Sequence, residues 1–505
     1  MDRTYDADFR TAGVTVNGGG TTVYAYDADG LLTAAGAMAL ARDAANGQVT
    51  GTTLGVVADE RTYNEHGEPT GYRATAGGTP VMEAAYTRDA LGRITAKTET
   101  IQGTTANYAY SYDVAGRLVR VEKNGTTVEQ YTYDANGNRT SGTAGGTTLN
   151  GTYDGDDKVA VYGGAVYTHA AGGEWRTVTE GGATTTYDYD AVGNLRTVTL
   201  PSGTTLEYVI DGRNRRVGRK VNGVLTKGYL YDGQLRIVAE LDGANNVTAR
   251  YVYGTRPNVP EWLEKGGGMY RIITDHLGSP RLVVNATSGA IVQRMDYDSW
   301  GNITTDTSPG FTPFGYAGGL HDQDTKLTRF GARDYDARTG RWTAKDPIGF
   351  RGGDSNVYVY SLNQPTNIID PFGLRWVYSQ STGELVWVND ATGETNNAGT
   401  GYSGQGIEGR NNPNMQNVPN VGPIPQGRYR IGPQEDLITG EGRTLPGGMR
   451  LTPLEGTNTF DRDGFTIHGD NNRGDQSASR GCPIFRRGIR NRIANSGDNV
   501  LEVVP

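Results

Sequence analysis

Cys482 is the only cysteine in the 505 residues, and His468, fourteen positions before it, is the only histidine after residue 375. Both lie in IHGDNNRGDQSASRGCP (467–483), a polar, glycine-rich stretch. A free thiol is mostly protonated near neutral pH and becomes a useful nucleophile when a base or positive charge stabilises its thiolate. His468 can supply the base. Six arginines crowd the segment (Arg473, Arg480, Arg486, Arg487, Arg490 and Arg492) and add positive potential. Gly481 permits an unusual backbone conformation and close approach by a substrate. The Cys482 N–H could then hold a developing oxyanion, with Gly469 and Arg480 lining the same pocket. Ser479 could orient the imidazole or line that pocket. For an arbitrary Cys/His pair a buried structural cysteine is the commoner outcome; here both members fall in a polar segment. One histidine and one cysteine leave too few soft ligands for zinc, so neither metal nor cofactor is expected.

The rest of the chain must position this segment. With 75 glycines, 30 tyrosines against 9 phenylalanines, and 35% hydrophobic content, it suits many short strands better than helices. Its length allows a few domains. No apolar run approaches the length of a membrane span, and MDRTYDADFR lacks a signal peptide's apolar core. Export is therefore expected to need a dedicated machine or an N-terminal region outside this chain. A net charge of −8 argues against a general nucleic-acid binder. Residues 375–505 are nearly neutral, with 13 arginines, no lysine and 14 acidic residues.

A self-similar unit recurs: YDADG (26–30), YDVAGRLVRV (112–121), YDANGNRT (133–140), YDAVGNLRTV (189–198) and YDGQLRIV (231–238). Asp113, Asp134 and Asp154 are 21 and 20 residues apart; Asp190, Asp211 and Asp232 are 21 and 21 apart. Tyrosines two apart share a strand face, and Asp followed by Gly is turn chemistry. Each unit reads as a strand–turn–strand that buries its tyrosine face by stacking on its neighbours.

These repeats resemble the RHS/YD-repeat family. The stretches 270–303 and 330–374, ending in PTNIIDPFGL, are similar to that family's core domain. The resemblance implies a sheet spiralling into a shell around a variable C-terminal toxin, although 374 residues are expected to leave the shell incomplete. It also implies self-cleavage between Leu374 and Arg375 by Arg333, Asp334 and Asp346. Two carboxylates held together cannot both ionise cheaply, so one would act as acid and the other as base. Taken alone, the same aspartates read as turn formers in YDARTG and KDP.

Beyond residue 375 the YD pattern stops. A hairpin is predicted at 376–389, then a long loop, strands at 427–431 and 465–468, and a short helix soon after Cys482. The histidine-glycine pair followed by S-x-G-C, with GPIPQGRYRIG (422–432), resembles the L,D-transpeptidase-like effectors of type VI secretion. Arg480 stands where that signature has histidine, and Ile484 where it has arginine. Arg486 and Arg487 are then the candidates for a substrate carboxylate. The resemblance implies cysteine attack on peptidoglycan stem peptides, delivery to the periplasm of a target bacterium, a cognate immunity protein, and a secretion spike or adaptor. A cysteine endopeptidase or amidase, or a non-enzymatic ligand-binding tail, remain alternatives. The expected fold is mainly β: a YD-repeat segment (1–265), an RHS-associated core (266–374) and a small all-β L,D-transpeptidase-like domain (375–505).

Overall fold

The computed structural model describes the chain except residues 66, 257, 347–355, 371–374, 389–394, 440, 441, 443, 455, 456, 472–474 and 495–499, and the side chains of 375, 387, 388 and 395–397. The expected cut after Leu374, and Arg473, lie outside the described residues.

The unit 112–117 shows why the Tyr-Asp motif repeats. Asp113 Oδ1 accepts the N–H groups of Ala115 (3.0 Å) and Arg117 (2.9 Å), closing an Asx turn. Gly116 takes φ +76°, a conformation that favours glycine. The Arg117 guanidinium lies 4.8 Å over the ring of Tyr133 in the next unit. The Tyr133 hydroxyl donates back to the Leu118 carbonyl at 2.7 Å. Arg215 and Tyr231 repeat the arrangement, at 5.1 Å and with a 2.9 Å bond from Tyr231 to the Arg216 carbonyl. Tyrosine thus serves as both packing surface and cross-link, which phenylalanine could not do.

Thirty strands, from Asp2–Tyr5 to Ile303–Asp306, each pair antiparallel with the next; the sheet does not close as a barrel among the described residues. The meander crosses position 265 unbroken, with Trp262–Lys265 paired to Gly268–Thr274. It curls back on itself, so that Val57, Ala74, Met82 and Ile101 pack with Ile273, Leu282 and Val284. Buried arginines join the facing turns of the curl: Arg271 reaches Asp59 at 2.8 Å, and Arg281 takes Glu99 at 2.6 and 3.1 Å. After the meander, four short strands between Leu320 and Trp342 surround a cluster of Tyr316, Phe330, Tyr335, Trp342 and Tyr360.

One buried carboxyl is expected to make the shell's stability depend on pH. Glu129 accepts from the Tyr131 hydroxyl (2.8 Å) and the Ser299 N–H (3.2 Å). Burial, aided by neighbouring Asp298, pushes its pKa up to about 7 from 4.5. The folded state therefore keeps a proton that the unfolded chain releases. That stabilisation is complete below the unfolded value and is lost as pH rises through the folded one. The thermal midpoint of Glu129→Gln is expected to fall less than that of the parent chain between about pH 5 and about pH 7, as read by thermal unfolding at each pH.

The C-terminal domain is a separate sheet in the order 395–400, 384–388, 375–379, 500–504, 427–431, 444–453, 435–438, with Thr466–Ile467 on the 444–453 strand. The hairpin, the strand at 427–431 and the helix Arg487–Ala494 stand as expected. The expected long loop contains a further strand, Thr395–Thr400, held by pairing to Glu384–Val388. Val500–Val504 runs parallel to Arg375–Ser379 and antiparallel to Gly427–Ile431, so the last strand sits beside the first. Trp376, Tyr378, Tyr429, Met449, Ile467, Phe485 and Leu501 fill the core. The domain's first strand starts at Arg375, immediately after the expected cut.

Candidate functional site

The segment after Gly481 is strung between two neighbours. Ile484 exchanges backbone bonds with Tyr402 on one side (2.7 and 3.2 Å). On the other, the His468 N–H donates to the Pro483 carbonyl (3.2 Å) and the Phe485 N–H to the His468 carbonyl (3.0 Å). This parallel bridge brings the thiol and imidazole segments together across fourteen residues. The N–H and the hydroxyl of Thr466 each lie 3.4 Å from Cys482 Sγ, both donating to it. Residues two apart along an extended run share a face, so the His468 and Thr466 side chains leave the backbone on the same side.

His468 Nδ1 lies 2.8 Å from the Gly469 carbonyl. A carbonyl only accepts, so Nδ1 carries the proton and Nε2 is left as the basic nitrogen. No hydrogen bond joins His468 to Cys482 among the described residues. Burial lowers the imidazole pKa below its ordinary 6.5, and Arg490 acts in the same direction against the Gly469 bond. Burial raises the half-buried thiol above its ordinary 9.0, while the Thr466 donors and Arg462 oppose the shift. At rest the thiol and the imidazole are thus both neutral. The Cys482 N–H has no acceptor among the described residues, and Gly481 before it holds φ +123°. A backbone donor next to the nucleophile is what an oxyanion requires.

Ser479 has a different place from the one expected. Its fully buried hydroxyl donates to the Cys482 carbonyl (2.7 Å) and accepts from the N–H groups of Gly404 (2.9 Å) and Gly481 (3.1 Å). All three bonds go to backbone, so Ser479 clamps the cysteine turn and does not orient the imidazole. Arg480, Arg486, Arg487 and Arg492 are exposed. Of the arginine cluster, Arg490 is buried and packs behind Gly469, with Nε on the Phe485 carbonyl (3.2 Å) and Nη1 on that of Gly447 (2.6 Å).

Arg462 escaped sequence reasoning. It is buried, 5.3 Å over the Phe465 ring, and donates to the carbonyls of Pro423 (2.7 Å), Gly422 (3.0 Å) and Gln416. Its Nη2 occupies the space that a Cβ at Gly481 would need. An arginine between two aspartates in DRDG reads as a solvated turn; only the nearby Phe465 hinted at burial. Thr466 was likewise missed, because nothing local marks a threonine as a thiol partner.

The expected self-cleavage residues are divided between two clusters. Strand neighbours point to opposite faces, and Arg333 and Asp334 are adjacent on the strand Arg333–Asp336. Arg333 lies 3.2 Å from Asp346, 3.2 Å from Asp370 and 4.2 Å over Trp342. The two carboxylate oxygens of Asp334 are taken by Arg216 (2.9 Å) and Arg329 (2.8 Å). The expected Asp334–Asp346 pair is therefore replaced by Asp346 and Asp370, gathered by Arg333. Asp370 lies four residues before Leu374.

Two family models match the chain: Teneurin YD-shell over residues 1–366 and Tlde1 domain over 397–503. Mouse Teneurin-3 is 32% identical over 298 residues, 56% of this chain and 11% of that protein. The tRNA3(Ser)-specific nuclease WapA of Bacillus spizizenii is 29% identical over 305 residues, 58% of this chain and 11% of that protein. The chain thus spans about a tenth of the length of these curated relatives. A Photorhabdus luminescens Tc holotoxin pore structure aligns at TM-score 0.59 and 19% identity, covering 74% of this chain and 21% of that one. A TcdB2-TccC3 crystal structure aligns at 0.55 and 18%, covering 74% and 22%. At such identities the likeness is one of fold.

Proposed function

The chain belongs to the Teneurin YD-shell family, and from that footing we propose that it is a secreted antibacterial toxin whose C-terminal domain attacks peptidoglycan stem peptides through Cys482. The observation that carries the reading is the bridge between 466–468 and 482–485. It gives the thiol two Thr466 donors, and on the facing segment the His468 imidazole keeps its Nε2 basic. The Tlde1 domain match over 397–503, which fits a toxin tail, supports it.

In this reading the substrate carbonyl joins an L-configured centre of diaminopimelate to terminal D-alanine. His468 Nε2 takes the thiol proton as Cys482 Sγ bonds to that carbon, and the Cys482 N–H donates to the oxyanion. Collapse breaks the C–N bond, the imidazolium returns its proton to the amine, and D-alanine leaves behind a thioester. Water then yields a shortened stem by L,D-carboxypeptidation, or an amine captures it by L,D-transpeptidation or D-amino-acid exchange. Either outcome deprives a target cell of cross-link donors. Self-cleavage after Leu374, with Arg333 holding Asp346 and Asp370, would sever the domain's covalent link to the shell before it acts in the target periplasm. A cognate immunity protein would cover the site in the producer, and a secretion spike or adaptor would carry the chain out.

Mass spectrometry of muropeptides incubated with the chain tests this directly. Loss of one D-alanine from tetrapeptide stems is expected. Cuts elsewhere in the stem, or between stem and glycan, would identify a cysteine endopeptidase or amidase instead. Unchanged muropeptides with a folded chain would leave a binding tail.

A further inference from the structure

Arginines link four of the shell's turns to their neighbours, in two ways. At two of the turns closed by arginine, that side chain reaches the next unit's turn: Arg117 donates to the Asp134 carbonyl (2.9 Å) and Arg215 to that of Gly233 (2.6 Å). At two of the turns closed by asparagine, at Asn138 and Asn194, an arginine from the core region plugs the gap. Arg341 donates to Asn138 Oδ1 (2.7 Å) and to the Asp157 carbonyl of the next turn (2.6 Å). Arg329 does the same with Asn194 Oδ1 (2.7 Å) and the Asn214 carbonyl (3.2 Å). Each plug therefore touches one closing side chain and one carbonyl of the turn that follows, and each fixes the 320–342 sheet to the shell.

The turns 43–48 and 64–68 close with Gln48 and Glu68. Both side chains face the C-terminal domain. Arg430 lies 3.5 Å from Glu68 Oε1 and donates to the carbonyls of the following turn, Leu91 (2.7 Å) and Gly92 (3.1 Å). Gln48 Nε2 donates to the buried Glu435 at 2.6 Å. A Cβ at Gly92 would meet both Arg430 Nη2 and Glu68 Oε1. The contact repeats the geometry of Arg341 and Arg329, one closing side chain plus carbonyls of the next turn, with the arginine supplied by a different domain.

We propose that Arg430 is a third arginine plug, and that the seat it makes with Glu68, Leu91, Gly92 and Gln48 holds the C-terminal domain to the shell after the chain is cut. The inference rests on the self-cleavage reading only for the cut itself. Bonds to carbonyls and a partly buried ion pair survive scission of the backbone, because none of them uses residues near 374. The domain's first strand starts at Arg375 and pairs within its own sheet, so cutting before it leaves that sheet whole. Release would then need a separate event that opens the seat.

The test uses the full chain with a site-specific protease sequence inserted between Leu374 and Arg375, so that failure of self-cleavage is scored separately. After cutting, the two pieces are expected to co-elute on size exclusion. Arg430→Met should weaken their association at least tenfold. Glu68→Arg alters only the shell, turning this turn into the self-closed kind seen at Arg117, and should expel Arg430 by repulsion. Gln48→Ala should weaken retention to a smaller degree. Thermal unfolding of each piece checks that both remain folded. Immediate separation of the cut parent chain would overturn the proposal. So would undiminished co-elution of both Arg430→Met and Glu68→Arg.

Discussion

Cys482→Ala is expected to abolish D-alanine release from tetrapeptide stems, and His468→Ala to lower it about 100- to 10,000-fold. The double variant should be no worse than Cys482→Ala, since nucleophile and base act as one unit. The reason lies in how the pair is held. Thr466 donates twice to the sulfur, and Gly469 fixes the imidazole tautomer. Removing the imidazole therefore leaves the thiol in place and takes away only the proton acceptor. His468→Ala should keep a thiol that reacts with iodoacetamide at alkaline pH, which separates lost chemistry from lost folding.

The pH dependence carries the sign of the same arrangement. The imidazole titrates below its ordinary 6.5 and the thiol above its ordinary 9.0. At neutral pH both are uncharged, and the proton moves only as the sulfur attacks. D-alanine release should therefore rise with pH as the imidazole loses its proton, in a limb below 6.5. It should then stay level up to the thiol's own titration above 9.0. Alkylation of the resting enzyme, which needs thiolate, should instead rise only at that upper end. Fast alkylation in mild acid would show a preformed thiolate–imidazolium pair and sink the general-base scheme.

What the sequence makes legible follows the range of the interactions. The Tyr-Asp unit is readable because its Asx turn and its glycine are local, within five residues of each other. Tyr133 and Leu118 bond at a separation set by the repeat itself, so period and fold carry the same information. The hairpin at 376–389 and the strand at 427–431 show their alternation directly. Thr395–Thr400 does not, because an Asn- and Gly-rich strand owes its existence to its partner and not to its own propensity. The plugs Arg329, Arg341 and Arg430 join residues more than a hundred positions apart, and nothing in their neighbours distinguishes them from surface arginines. The Asp334–Asp346 pairing failed for a similar reason: adjacency in Arg333–Asp334 suggests partnership, while strand geometry sends the two side chains to opposite faces. At the thiol, Cys482 and His468 stood out by rarity, whereas Arg462 was one of 13 arginines in its domain.

Arg462 provides the second large effect, and its two roles can be pulled apart. Arg462→Met removes the donors of three carbonyls, at Gln416, Gly422 and Pro423. Each buried acceptor left without a donor costs about 1–3 kcal/mol, so the C-terminal domain should lose several kcal/mol and unfold at clearly lower temperature. The same change deletes the cation that opposes the upward shift of the Cys482 thiol. The pH midpoint of iodoacetamide alkylation should therefore move further up in whatever fraction stays folded. Arg462→Lys keeps a positive charge but offers a compact ammonium in place of the planar fork. It should recover most of the alkylation midpoint while leaving most of the stability loss. If lysine restored both, the carbonyl bonds would matter little. If it restored neither, the guanidinium would act on the thiol only by holding the loop at Gly422 and Pro423 in place. Gly481→Ala approaches the same contact from the other side. Its Cβ would meet Arg462 Nη2 at a backbone φ of +123°, so it should mimic the stability loss of Arg462→Met without removing the charge.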